Sequence, residues 1–127
     1  MRKFAIAALP LLLLAACATG SPGASSPPLA MKDGMLVTSK GLTVYTFDKD
    51  VPNSGKSACN GDCAVKWPPV LAQSGDQPQG AYTIVMRDDG RRQWAYRGKP
   101  VYTWPEDQEP GDKYGDNYNK VWHVIKQ

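Results

Sequence analysis

Long hydrophobic runs are scarce in this 127-residue chain, and the longest, Phe4 to Ala16, has thirteen residues. As a helix it would span roughly 20 Å, short of the ~30 Å hydrocarbon core of a bilayer, which disfavours a transmembrane anchor and excludes a polytopic membrane protein. Histidine occurs once, at position 123, and cysteine three times. Charge of one sign is missing too: beyond Arg2 and Lys3 there are 13 basic and 12 acidic residues, and only Arg91-Arg92 are adjacent basics. No nucleic acid is therefore expected as a partner. No phosphate loop occurs, no carboxylate pair stands in a recognisable setting, and Ser39, Ser54, Ser57 and Ser74 sit in no nucleophile motif. These absences point away from an enzyme. Length adds that the 97 residues from Met31 to Gln127 suffice for one domain, not several.

What is present begins with an address. Met1-Arg2-Lys3 is basic, the apolar stretch follows, and Leu14-Ala15-Ala16-Cys17 puts small residues before a cysteine. This looks like a bacterial lipobox, with residues 1–16 as signal peptide and Cys17 as the lipidation site. Several acyl chains on that cysteine would hold the protein on a membrane. Ala18 stands where an Asp marks inner-membrane retention in bacteria with two membranes, so the outer membrane, facing the periplasm, is expected in such a host. Residues 17–31 read as the lipidated cysteine and a disordered tether, because Ala18 to Ala30 offer almost no large apolar side chain to bury.

Setting Cys17 aside leaves Cys59 and Cys63, in Cys-Asn-Gly-Asp-Cys. Outside the cytoplasm an even remainder is read first as a disulfide, here one that pins the Asn60-Gly61 turn against a short helix. A redox dithiol and a metal pair are the alternatives. The redox reading lacks the usual two-residue spacing and a thioredoxin-like setting, and zinc would need two further ligands.

Strand-like runs dominate residues 32–127: Met35 to Val37, Leu42 to Phe47, Tyr82 to Met86, Gln93 to Tyr96, Val101 to Trp104 and Val121 to Ile125. Turns are signalled at Ser39-Lys40-Gly41, Asp88-Asp89-Gly90 and Arg97 to Pro100, and only Asp62 to Trp67 reads as helical. The expected fold is mainly β, a small antiparallel domain of sandwich or barrel type with one short helix.

An internal repeat underlies it. Gly41 to Asp50 lies over Gly98 to Asp107, with Gly, Val, Tyr, Thr, an aromatic and Asp recurring 57 residues apart. Trp67-Pro68-Pro69-Val70 lies over Trp122-His123-Val124-Ile125 at a spacing of 55. Two pseudo-repeats, about 34–70 and 91–126, are expected to share a sheet or small barrel. Tyr45-Thr-Phe47-Asp-Lys-Asp50 and Tyr102-Thr-Trp104-Pro-Glu-Asp107 both carry Tyr-x-aromatic-x-x-Asp. With the Cys59 to Pro69 and Trp94 to Tyr102 segments, Pro110-Gly-Asp112 and Val121 to Val124, the chain resembles, over roughly residues 33–126, bacterial lipoproteins known as the secreted repeat of unknown function. The resemblance implies no assigned activity.

In an extended strand Tyr45 and Phe47 share a face, so Asp50 is expected to cap the turn through backbone N–H groups or the tyrosine hydroxyl. The functional alternative brings Asp50 and Asp107 together as an acidic site, supplemented by Asp48, Glu106, Glu109, Asp112 and Asp116, for a divalent cation. Asp50, Asp107, Asp112 and His123 are thus weak metal candidates, and His123 with Met35 and Met86 could hold copper. Neither ion is expected as a cofactor. Trp67, Trp94, Trp104 and Trp122 should be mostly core, an exposed pair would suit a glycan, and Tyr114 to Lys120 reads as the loop best placed for a partner. Together these features predict a membrane-anchored envelope lipoprotein that binds or scaffolds, with an accessory role in envelope redox or metal handling, or in glycan and peptidoglycan binding, as alternatives.

Overall fold

The chain alternates short β-prone runs with Gly, Pro and Asp turns, so each strand ends after a few residues. The computed structural model describes residues 26–127. The expected signal peptide, Cys17 and the first part of the tether lie outside the described residues. Strands β1 (Leu29–Lys32) and β2 (Met35–Thr38) form a hairpin through Asp33-Gly34. Both turn residues have positive φ, 53° and 83°, as a two-residue hairpin turn requires. After β3 (Tyr45–Phe47) and helix α1 (Asp62–Lys66), a second hairpin joins β4 (Tyr82–Met86) to β5 (Arg92–Tyr96). Then come β6 (Lys99–Pro100), a single 3-10 turn at Tyr118–Lys120, and β7 (Trp122–Val124).

The expected mainly antiparallel β architecture with one short α-helix is present. Its strands are distributed over three small sheets, β1-β2, β3-β7 and β4-β5-β6, not gathered into one. Two expected strands are shorter than their β-prone runs. Leu42 to Val44 make only a bridge, Thr43 to Val37, before β3, and Val101 to Trp104 contribute bridges from Tyr102 to Tyr45 and Pro69. Pro68, Pro69 and Pro100 lack the N–H that a longer ladder would use. The tether also ends earlier than expected. Leu29, Ala30 and Met31 belong to β1, where Leu29 is buried with Leu36, Val44, Trp94 and Val101. Its isolated position in a polar segment hid that role.

The backbone repeats itself about a pseudo-twofold axis between Tyr45 and Tyr102. Tyr45 N–H donates to the Tyr102 carbonyl at 2.8 Å, and Tyr102 N–H donates back to the Tyr45 carbonyl at 2.9 Å. The ends of the repeats cross over this axis. Val124 pairs with Tyr45, and at the equivalent place Pro69 bridges Tyr102. Leu36 N–H reaches the Ile125 carbonyl at 2.9 Å, and Trp94 N–H reaches that of Val70 at 2.8 Å. Each repeat therefore closes its sheet with the other's final segment.

Rings fill the crossing. Trp67 and Trp122 stack with centroids 3.8 Å apart and planes 5° from parallel. Phe47 covers the outer face of Trp122 at 4.2 Å, and Trp104 covers that of Trp67 at 4.3 Å. Pairs of this kind add about 0.5–1.5 kcal/mol each beyond the area they bury. No helix among the described residues is long and apolar enough to cross a membrane.

Candidate functional site

Beside the ring stack lie the two Tyr-x-aromatic-x-x-Asp motifs, and the short turn after each aromatic positions its aspartate. Asp50 N–H donates to the Phe47 carbonyl at 3.0 Å, and Asp107 N–H to that of Trp104 at 2.9 Å. The tyrosines do not bond the aspartate of their own motif. Tyr102 Oη donates to Asp50 Oδ2 at 2.7 Å, and Tyr45 Oη donates to Asp107 Oδ2. This corrects the expectation of a hydroxyl partner five residues away, because the strand crossing carries each phenol into the other repeat's turn. The backbone-capping part of that expectation is met by the second oxygens: Asp50 Oδ1 accepts from Ala58 N–H at 2.6 Å, and Asp107 Oδ1 from Tyr114 N–H at 2.8 Å.

All four side chains are buried. Burial pushes the Asp50 carboxyl above its ordinary range, and its hydrogen bonds and the charge of Arg87 pull the other way. Burial, and after it the adjoining carboxylate, raise the Tyr45 hydroxyl well above its usual value. Tyr102 is raised as well, chiefly by burial. Both phenols hence stay protonated at neutral pH and act as donors. The arrangement can fix two turns and two strands against one another; it presents none of these groups to solvent.

The corners differ in their surroundings. At the first, Ser57 Oγ lies 2.6 Å from Tyr102 Oη, and the fully buried Arg87 donates to Ser57 Oγ at 3.1 Å, Gln93 Oε1 at 2.8 Å and the Cys59 carbonyl at 2.8 Å. At the second, Gly115 N–H donates to Tyr45 Oη at 3.1 Å. A Cβ on Gly115 would stand 2.7 Å from Trp67 Cη2, so only glycine permits this approach. Sequence reasoning passed over Arg87 because it precedes Asp88-Asp89-Gly90 and looks like one more charged turn residue. The run Tyr114 to Lys120, expected as a partner loop, is thereby also part of the scaffold, although Tyr114 and Tyr118 are exposed.

Cys59 and Cys63 form the expected disulfide, with Cα atoms 5.2 Å apart, and Cys59 is fully buried beside the ring stack. The proposed acidic cluster does not assemble. Asp50 and Asp107 are engaged as above, Asp112 accepts from the Gln108 and Glu109 amides at 3.1 Å, and His123 Nε2 lies 2.8 Å from Asp48 Oδ2. Among the described residues no group of three or more His, Cys, Asp or Glu side chains is placed to hold a metal. Met35, Met86 and His123 stand on β2, β4 and β7, in three different sheets.

No curated protein and no solved structure matches the chain. A family model does, twice, over residues 30–71 and 83–126. Each matched segment starts before the expected repeats at 34 and 91, taking in most of β1 and of β4, so the unit of duplication includes the hairpin's first strand. Crossed corners, paired hairpins and both matches agree on one duplicated unit, and the chain belongs to the family described as a secreted repeat of unknown function.

Proposed function

We propose that this protein is a lipid-anchored envelope lipoprotein whose β domain works by binding or scaffolding and not by catalysis. The observation that carries the reading is the saturation of the motif. Tyr45, Asp50, Tyr102 and Asp107 are at most 5% exposed, and their polar atoms are committed to each other and to backbone amides. The secreted character of the family and the Cys59–Cys63 bridge suit an oxidising compartment outside the cytoplasm. The basic, apolar and small-residue succession ending at Cys17 supports attachment through lipid, to the outer membrane where the host has two.

Palmitate labelling of the full chain and of Cys17→Ala in a bacterial host tests the anchor, with label expected on the first and absent from the second. Incubating the purified protein with peptidoglycan and envelope lipids, followed by mass spectrometry, tests the rest. The substrates should return unchanged. A new product that disappears in a folded Tyr102→Phe variant would overturn the reading.

A second reading is favoured by the rim of the ring stack. Trp104 is half-buried, its ring centroid lies 5.0 Å from that of Tyr118, and Tyr118 is 42% exposed. Such a pair suits a sugar ring, and peptidoglycan fragments would then quench tryptophan fluorescence in the natural chain but not in Tyr118→Ala. The redox alternative needs a reducible bridge. Burial of Cys59 supports instead a disulfide that survives mild reductant and escapes thiol alkylation.

A further inference from the structure

The pseudo-twofold lets the molecule serve as its own control wherever a surface of one half has a counterpart in the other. Two grooves are related in this way. One, of about 450 Å³, is lined by Lys40, Leu42, Val70 and Leu71 among others. The other, of about 360 Å³, is lined by Arg97, Lys99, Ile125 and Lys126 together with Asp48 and His123. The backbone fixes the correspondence. Gly41 and Gly98 hold φ of 84° and 85° in the matching turns, which sets Leu42 over Lys99. Leu71 bridges Gln93 just as Lys126 bridges Met35, and this sets Leu71 over Lys126.

At these two positions the first groove carries leucine and the second carries lysine. His123 adds to the difference where its counterpart is Pro68, and Arg97 stands where the first groove has Lys40. The described residues are nearly balanced overall, with 13 basic and 12 acidic side chains, whereas this groove is lined by Arg97, Lys99 and Lys126 against a single acid. Asp48 is the one acid in the lining, and it is turned to His123 at 2.8 Å. Among the described residues, no carboxylate lies within salt-bridge range of Arg97, Lys99 or Lys126. Arg97 rests over the Tyr96 ring, 5.3 Å from its centroid, which holds the guanidinium at the rim.

We propose that the groove between β7 and the β5–β6 turn is a binding site for a phosphate-type oxyanion. Two lysines and one arginine line it, and compact ammonium charges with a planar guanidinium fork match the charge and the several acceptor oxygens of a phosphate. The counterpart groove, with leucine at both lysine positions, lacks this field. The inference deepens the binding role proposed above and rests on it. The same chemistry is offered by a free phosphate ester and by an anionic lipid headgroup.

Nuclear magnetic resonance of the full lipidated chain in phosphatidylcholine nanodiscs tests it. In one arm inorganic phosphate is titrated; in the other, phosphatidylglycerol replaces part of the phosphatidylcholine. Amide shifts are expected at Arg97, Lys99 and Lys126 and not at Lys40 or Leu42. A response to phosphate assigns a soluble ligand, and a response to phosphatidylglycerol alone assigns the headgroup. Lys99→Leu with Lys126→Leu, which installs the counterpart's residues at two exposed positions, should weaken the response at least tenfold and leave the near-ultraviolet spectrum unchanged. Absence of shifts in both arms, equal shifts in the two grooves, or an unaltered response in the double variant would overturn the site. A glycan response at Trp104 and Tyr118 beside a silent groove would do the same and leave the binding role standing.

Discussion

Tyr45 and Tyr102 each put one hydroxyl against a carboxylate far away in sequence, 62 residues off in one case and 52 in the other. Removing either hydroxyl leaves a buried carboxylate oxygen short of a donor, which costs about 1–3 kcal/mol. Double-mutant cycles in urea read the crossing directly. Tyr45→Phe with Asp107→Asn, and Tyr102→Phe with Asp50→Asn, should show coupling of roughly 0.5–3 kcal/mol. Tyr45→Phe with Asp50→Asn should be additive within about 0.5 kcal/mol. Coupling within each motif and none across would refute the crossed pairing. Asp50 also has a pH signature. Its carboxyl is raised above the ordinary 3.8 because burial penalises the charged form. In the window that opens at 3.8 the unfolded chain has lost this proton while the folded chain keeps it. Its stabilising contribution is therefore complete below the window and is lost as pH rises through it. Asp50→Asn does not titrate there, so the stability of the natural chain minus that of the variant should fall with rising pH. A flat or rising difference in unfolding experiments contradicts this.

Among the elements, the Ser57–Cys63 loop and α1 hold the first corner but have no counterpart at the second. Ser57 Oγ, the Ala58 amide and the Cys59 carbonyl are the groups that Tyr102, Asp50 and Arg87 use. The disulfide closes the end of this loop and contributes about 2 kcal/mol on the chain-entropy account. Cys59→Ala with Cys63→Ala should lower unfolding stability by about that amount. It should also speed hydrogen exchange at the Ala58 and Cys63 amides while the Tyr114 amide, at the second corner, keeps its protection. Equal acceleration at both corners would show that the bridge acts on the whole fold and not on one half of it.

For the whole molecule, the crossing means that neither repeat is a separate folding unit. Trp67 stacks on Trp122, β3 pairs with β7, and Trp94 hydrogen-bonds Val70. A protease site placed in the exposed Gln77-Pro78 segment of the connection tests this. After cleavage the halves should co-elute on size exclusion and separate only in denaturant, and a chain ending at Gln77 should give no near-ultraviolet tryptophan signal. A folded isolated half would show that the strand crossing is dispensable.

Local chemistry was legible in the chain before any fold was known. Asp88-Asp89-Gly90 marks its hairpin because positive φ falls to Gly90, at 86°, and a separation of only four positions brings Cys59 and Cys63 within bridging reach. The duplication was legible too, since Gly, Val, Tyr, Thr and Asp recur at one spacing. Three matters were left to the tertiary structure: which aspartate each tyrosine meets, that Arg87 is buried, and that Leu29 begins the core. The physical reason is common to them. Turns and short loops are set by the backbone preferences of adjacent residues, whereas burial and pairing depend on residues distant in the chain, and two like motifs offer two candidate partners for each tyrosine hydroxyl. Only the place where the strands cross chooses between those partners.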